Sequence, residues 1–199
     1  MTKNIVLASG NKGKLAEFTQ MFQDLAVTIK PQSEFNVSEV AETGTTFVEN
    51  AIIKARHAAE ISGLPAISDD SGIEADGLNG APGVYSARYG GEGATAQDNY
   101  TKLLKELGDN PNRKARFQCV LVYMRHHQDA SPVICQASWE GTISDAPHGN
   151  GGHGYDPIFV CNEHAKSAAE LTPEQKNAIS HRGKALEMLL AKLKQLGEL

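Results

Sequence analysis

The chain has 199 residues, of which 40% are hydrophobic, enough for one sizeable core. Its net charge of -5 argues against a nucleic-acid coat, because phosphate neutralisation needs a basic face, but it leaves room for a local cation cluster around a small phosphorylated ligand. Cys119, Cys135 and Cys161 are odd in number and lack C-x-x-C spacing, so they read as reduced core thiols rather than a zinc site.

Lys3 to Ala8 reads as a buried strand, followed by Ser9-Gly10-Asn11-Lys12-Gly13-Lys14 and a helix whose stripe is Leu15, Phe18, Phe22 and Leu25. Val27-Thr28-Ile29 is a second strand, and Pro31 to Gly44 a polar loop carrying Glu39, Glu42 and Thr43. The next helix opens at Thr46 with Glu49 at capping-box spacing and stops at Gly63. Its alanines at 51, 55, 58 and 59 suit close packing, while Asn50, Lys54 and His57 form a separate polar face. Leu64 to Ile67 reads as a short strand ending in Asp69 and Asp70 and broken by Ser71-Gly72. Alternation along the strand sends the two carboxylates to opposite sides.

Gly77 to Gly93 is glycine-rich and holds Pro82, Tyr85, Arg88 and Tyr89. Thr95 to Leu107 is a helix broken by Asn110-Pro111-Asn112. Ala115–Met124 and Val133–Ile143 read as a long antiparallel hairpin. Gly149 to Asp156 is a second glycine-rich loop before a short strand, Ile158 to Val160. Thr172-Pro173-Glu174-Gln175 starts a helix, and Ser180-His181-Arg182 the last one, striped by Leu186, Leu189, Leu190 and Leu193. This order indicates a mixed α/β fold in one domain, 1–199. The start, Met1-Thr2-Lys3-Asn4, lacks a signal-peptide layout and no apolar run approaches membrane-spanning length, so the expectation is a cytoplasmic protein without membrane contact.

Several groups carry possible chemistry. Asp69 and Asp70, beside Ser71 and Gly72, suit holding Mg²⁺ and orienting a water, or form a solvated turn. The Ser9–Lys14 loop at a helix start is either an anion site or a basic turn. It is not a P-loop, because Ala8 stands where that pattern needs Gly, and Leu15 where it needs Ser or Thr. Asn50 and Lys54 read as an ordinary solvated face. Gly151-Gly152-His153-Gly154-Tyr155-Asp156-Pro157 offers close backbone approach and rings for a base, or a structural turn. Lys176, with Ser180-His181-Arg182, places donors at a helix junction for a keto oxygen or a phosphate, or forms a polar cap. The histidines have no metal-ligand spacing, and Ser71 lacks a nucleophile-elbow frame.

Taken together, these segments resemble the non-standard purine nucleoside triphosphate pyrophosphatases, the inosine triphosphate pyrophosphatase family. The resemblance covers nearly the whole chain through Ser9-Gly10-Asn11-x-x-Lys14, Glu42-Thr43-Gly44-x-x-Phe47-x-Glu49-Asn50-Ala51-x-x-Lys54-Ala55, Asp69-Asp70-Ser71-Gly72, Gly80-x-Pro82-Gly83-x-Tyr85-Ser86-Ala87-Arg88-Tyr89, Gly151-Gly152-x-Gly154-Tyr155-Asp156-Pro157-x-Phe159 and Ser180-His181-Arg182. Ser9 stands where Thr is common in the family, and His153 where Phe is common.

The resemblance implies Mg²⁺-dependent hydrolysis of ITP, dITP or XTP to the monophosphate and pyrophosphate. It assigns Ser9, Gly10, Asn11, Lys12, Gly13 and Lys14 to the phosphates, with Lys54 as a further contact. Asp70 would be the proton acceptor and, with Glu42, a metal ligand; Asp69 would help. Ser71, His153, Gly154, Tyr155, Asp156, Lys176, His181 and Arg182 would complete the nucleotide site. The implied fold is an elongated mixed sheet flanked by helices, in two lobes with a central nucleotide cleft, and the implied assembly is a homodimer. The rival readings are a nucleotide-binding regulatory module without turnover, and a phosphatase or kinase acting on the terminal phosphate.

Overall fold

The computed structural model describes residues 3–23 and 25–199, with every side chain among them except that of Lys12. Met1 and Thr2, part of the start from which no leader was read, lie outside the described residues. Six strands pair in the order β2-β1-β3-β4-β5-β6. They are β1 (Lys3–Ala8), β2 (Val27–Pro31), β3 (Ala66–Ala75), β4 (Lys114–Met124), β5 (Val133–Ile143) and β6 (Phe159–Cys161). β1 runs parallel to β2 and β3, and β6 antiparallel to β5, so the sheet is mixed. The helices are α1 (Lys12–Phe22), α2 (Phe47–Ser62), α3 (Ala96–Leu107), α4 (Pro173–Ile179) and α5 (His181–Gln195).

The chain divides into two compact units. The first comprises residues 1–70, 120–136 and 185–199; the second comprises 71–119 and 137–184. In the first, α1 packs on β2 and α2 on β1. The alanine stripe of α2 lets it approach closely. Ala58 and Ala59 cluster with Val6, Ala8, Val37 and Ala66, edged by Phe35 and Leu64. Phe18 and Phe22 of the α1 stripe are buried and stack on one another, while Leu15 and Leu25 are half-buried. In the second unit, Leu103 and Leu107 of α3 join Phe117, Trp139, Ile143, Phe159 and Ile73 in one core.

Three helices begin as their sequences dictate. Thr46–Glu49, Thr95–Asp98 and Thr172–Gln175 all close as reciprocal capping boxes, satisfying donors that the helix itself leaves open. α2 ends at Gly63 in the left-handed conformation, φ +67°, which glycine adopts without a Cβ penalty.

Two expectations are corrected. The strand expected to end before Ser71-Gly72 continues to Ala75, so Asp69 and Asp70 sit mid-strand rather than at its end. Ile73 and Ala75 are completely buried, and their burial carries the extended backbone through the Ser-Gly pair. The last strand is shifted by one residue, because Asp156–Ile158 forms a 3-10 turn and pairing begins at Phe159. In β4, alternation holds only from Lys114 to Gln118; from Cys119 to Met124 every residue is buried.

The loop joining β4 to β5 is organised by Asp129, which is 4% exposed. Its carboxylate accepts from Arg125 Nε and Nη2, both at 2.8 Å, and from the backbone N–H groups of Arg125 (3.1 Å) and Ser131 (2.9 Å). The Arg125 guanidinium holds its pKa well below the usual carboxylate range. A pKa depressed in the folded state gives stability that is full above the unfolded carboxylate value and fades as pH falls. Asp129→Ala is expected to lower unfolding free energy by about 1–3 kcal/mol at neutral pH. In urea titrations the gap from wild type should shrink below about pH 4, where the unfolded-state carboxyl protonates.

Candidate active site

In the first unit, α1, α2 and β3 bring two lysines to two buried aspartates. Lys14, two residues into α1, places Nζ 2.5 Å from Asp69 Oδ1, whose side chain is fully buried. Lys54 on α2 places Nζ 2.6 Å from Asp70 Oδ1 and 2.9 Å from Glu42 Oε1. The Lys54 ammonium also donates to the Asp69 carbonyl at 3.0 Å. The adjacent aspartates thus take different lysines, in keeping with strand alternation. Ser68 is tied down beside them, its hydroxyl donating to Ala51 O at 2.6 Å.

The electrostatics set these carboxylates apart from surface ones. Burial pushes the Asp70 pKa up; the Lys54 charge and hydrogen bond oppose the rise, and the Glu42 charge adds to it. For Lys54, burial works to lower the pKa, but the charge of Asp70 and the hydrogen bonds that the ammonium donates to Asp70 and Glu42 outweigh it, and the net direction is up. Asp70 is therefore a stronger base than an exposed aspartate, which suits proton acceptance.

Glu42 and Asp70 also fit a divalent ion. Two carboxylates already converge on one cation, and hard oxygen donors in that number suit Mg²⁺ completed by water and phosphate oxygens. Among the described residues, no three His, Cys, Asp or Glu side chains gather as a self-sufficient metal cage.

The Ser9–Lys14 loop is organised differently from an open anion cradle. Asn11 caps α1, its Oδ1 accepting from Gly13 N (2.8 Å) and Lys14 N (3.1 Å), while Ser9 Oγ accepts from Asn11 N at 3.2 Å. Those backbone donors are already satisfied, so the loop's cationic side chains would carry attraction for an anion. Gly10 is exposed. The Lys12 side chain lies outside the described residues.

The second unit gathers the remaining candidates. Asp156, 2% exposed, accepts from His153 N at 2.7 Å and pairs with Lys176 Nζ at 2.5 Å, tying α4 to the glycine-rich loop. Gly154 stands at φ +63° in that loop. Tyr155 OH donates to Ser86 O at 2.7 Å, and Ser86 Oγ accepts from Ile73 N (2.9 Å) and donates to Gly83 O (2.6 Å). Ser86 thus knits the second half of β3 and the 83–88 turn to the 151–156 loop. The His181 ring stacks on Phe117, centroids 4.8 Å apart and 11° from parallel. Arg182 Nη2 donates to Ser71 Oγ at 3.2 Å. The next residue must be glycine, because a Cβ on Gly183 would lie 1.8 Å from the Asn177 carbonyl oxygen.

One reading from sequence is corrected here. Asn50 and Lys54 do not lie on a solvated face: Asn50 is completely buried, with its Oδ1 accepting from Gly44 N at 2.8 Å, and the largely buried Lys54 side chain is held by Glu42 and Asp70. Their spacing was visible, but burial of a polar helix face depends on the loop laid over it, which periodicity does not encode. The Ser86 hub was likewise missed as a contact, although its Gly-x-Pro-Gly surroundings marked the segment.

A model of the Ham1 family matches residues 5–192. The chain belongs to the Ham1 family. Relatives agree along its length. The dITP/XTP pyrophosphatase of Shewanella oneidensis is 63% identical over 196 residues, 98% of this chain and 96% of that protein. That of Vibrio cholerae is 57% identical, covering 97% of this chain and 98% of the other. Among solved structures, a HAM1 protein from Coxiella burnetii superposes with a TM-score of 0.93 at 51% identity, covering 97% of this chain and 99% of that one. The Staphylococcus aureus Ham1 protein gives 0.89 at 42% identity, covering 99% and 100%.

The loop built around Asp156 gives this Ham1 chain a sharp test. Gly152 (φ +72°) and Gly154 (φ +63°) both occupy the left-handed region, where an alanine costs about 1–2 kcal/mol. A Cβ on Gly154 meets open space, whereas one on Gly152 would lie 2.2 Å from Asp156 Oδ2. Gly154→Ala should therefore show only the backbone cost in urea unfolding. Gly152→Ala should exceed it by about 1–3 kcal/mol through disruption of the Lys176–Asp156 pair.

Proposed function

We propose that this protein hydrolyses non-standard purine nucleoside triphosphates, ITP, dITP and XTP, to the nucleoside monophosphate and pyrophosphate, and so cleanses the nucleotide pool. The observation that carries the reading is the buried Asp70 carboxylate sharing one cation with Glu42, in a chain 63% identical to a dITP/XTP pyrophosphatase.

Asp70 is the catalytic residue in this reading. Its raised pKa lets it orient a water and take its proton as the water oxygen bonds to the α-phosphorus. The α–β bridging P–O bond breaks, and its electron pair leaves with pyrophosphate. Lys54 and Lys14, with the rest of the Ser9–Lys14 loop, bind the phosphates and neutralise the charge that develops on the leaving group. Glu42 and Asp70 would hold Mg²⁺, which supplies further charge neutralisation when bound.

Base recognition falls to Ser71, His153 to Asp156, Lys176, His181 and Arg182. Hypoxanthine and xanthine carry a 6-keto acceptor that a donor such as Arg182 can use. Adenine leaves that donor unpaired, at about 1–3 kcal/mol per buried group. Guanine shares the 6-keto oxygen, so its rejection falls to position 2, where a protein donor gives a hydrogen bond to the xanthine oxygen and opposes the guanine amino group.

The product decides among the enzyme and its rivals. Incubation with ITP and Mg²⁺, followed by ³¹P NMR, should give pyrophosphate; orthophosphate supports a phosphatase, and no product a regulatory binder. EDTA should abolish release. Asp70→Asn should lower kcat by about 10²–10⁴-fold with little change in binding of a non-hydrolysable analogue. Equal loss of both would count against a catalytic role.

The protein acts in the cytoplasm in this reading; no helix among the described residues is long and apolar enough to cross a membrane. It works as a homodimer through the Gly80–Tyr89 region, where Tyr85 is 56% exposed under the Arg88 guanidinium, 5.3 Å from its ring centre. Sedimentation at micromolar concentration should give a dimer, and Tyr85→Ala should shift it toward monomer.

A further inference from the structure

The polar face of α2 holds Asn50, Lys54 and His57, and the proposed reaction uses only Lys54. The other two both grip the segment that carries Glu42. His57 Nε2 donates to Ser38 O at 3.0 Å and lies 3.2 Å from Ser38 Oγ. Asn50 Oδ1 accepts from Gly44 N at 2.8 Å. Next to it, Glu49 Oε2 accepts from Thr45 N and Thr46 N, both at 2.9 Å. Glu42 itself reaches Lys54. The loop therefore runs back along the helix, with one anchor on His57 and the other on Asn50. The anchors are seven helical steps apart, about 10.5 Å of rise.

Two details show how tightly the Asn50 end is fitted. A Cβ on Gly44 would lie 2.5 Å from Glu49 Cβ and 2.8 Å from Asn50 Oδ1, so the loop backbone is pressed onto α2 there. Asn50 is completely buried, yet its Nδ2 makes no hydrogen bond within the described residues. A buried unsatisfied donor costs about 1–3 kcal/mol, so stability alone does not account for a carboxamide at this position.

We propose that Asn50 and His57 are positioning residues that clamp the 38–44 loop at both ends, so that Glu42 is held ready to bind Mg²⁺ together with Asp70. This rests on the metal-dependent reading above. A carboxylate on an untethered loop must be ordered each time an ion binds; a clamped one is ordered beforehand, and the clamp acts on ion affinity rather than on proton transfer.

The test compares Asn50→Ala, His57→Ala and His57→Gln with wild type. One readout is the Mg²⁺ concentration giving half-maximal pyrophosphate release from ITP. The other is Mg²⁺ binding by calorimetry in the presence of α,β-imido-ITP, which needs no turnover. Both alanine variants should raise both constants by about 10-fold, while kcat at saturating Mg²⁺ stays near wild type. His57→Gln keeps a donor for Ser38 O and should restore the wild-type constants. Should Asn50→Ala fail to fold, the half-buried His57 pair carries the test. Folded alanine variants with wild-type Mg²⁺ constants, or with a loss confined to kcat, overturn the clamp while leaving the hydrolase reading intact. A wild type without Mg²⁺-dependent pyrophosphate release removes the hydrolase reading and the clamp with it.

Discussion

The ammonium of Lys54 between the carboxylates of Glu42 and Asp70 is the contact on which the first unit's chemistry depends. Asp70 is 7% exposed, and a carboxylate so placed is tolerated only if something cationic compensates for lost water. Lys54 does this from α2, and α2 can deliver it because its alanines let the helix lie close to the sheet. Asp69, one residue earlier, repeats the solution with Lys14 from α1. Consecutive strand residues thus receive cations from two different helices, and the pair of aspartates becomes a fixed electrostatic feature rather than a solvated turn.

The second unit solves a different problem. Its polar candidates sit beside a large aromatic core and are held by neutral contacts as much as by charge. Phe117 and Trp139 cluster with the His181 ring, Ser86 links three segments, and Asp156 binds the loop before it to α4. In the proposed reading, such directional contacts suit discrimination by hydrogen-bond pattern, where a misplaced donor costs as much as a missing one.

Much of this was legible in the residues themselves. The cap signals at Thr46 and Thr172 announced two helices within a residue, because a cap is a local hydrogen-bond pattern that needs no tertiary help; the Thr95–Asp98 box emerged only in the structure. The alanine stripe of α2 and the apolar stripe of α5 declared their buried faces. The course of β3 past Ser71-Gly72 was not legible: local residues there favour a turn, and burial of Ile73 and Ala75 overrides them. Asn50 misled for a related reason, since its burial is supplied by a loop that sequence periodicity cannot place. The basic loop before α1 read equally well as anion site or turn, and the Asn11 cap adds a local role that spacing left open.

The start of α5 has a consequence for how this protein can diverge. In the proposed reading His181 and Arg182 belong to the nucleotide site, and the position that follows them directly is crowded. With 1.8 Å between the Asn177 oxygen and the place a methyl would occupy, position 183 admits hydrogen alone. Drift in selectivity is therefore free to alter the chemistry of the side chains on either side of that joint, but not the angle at which the joint presents them.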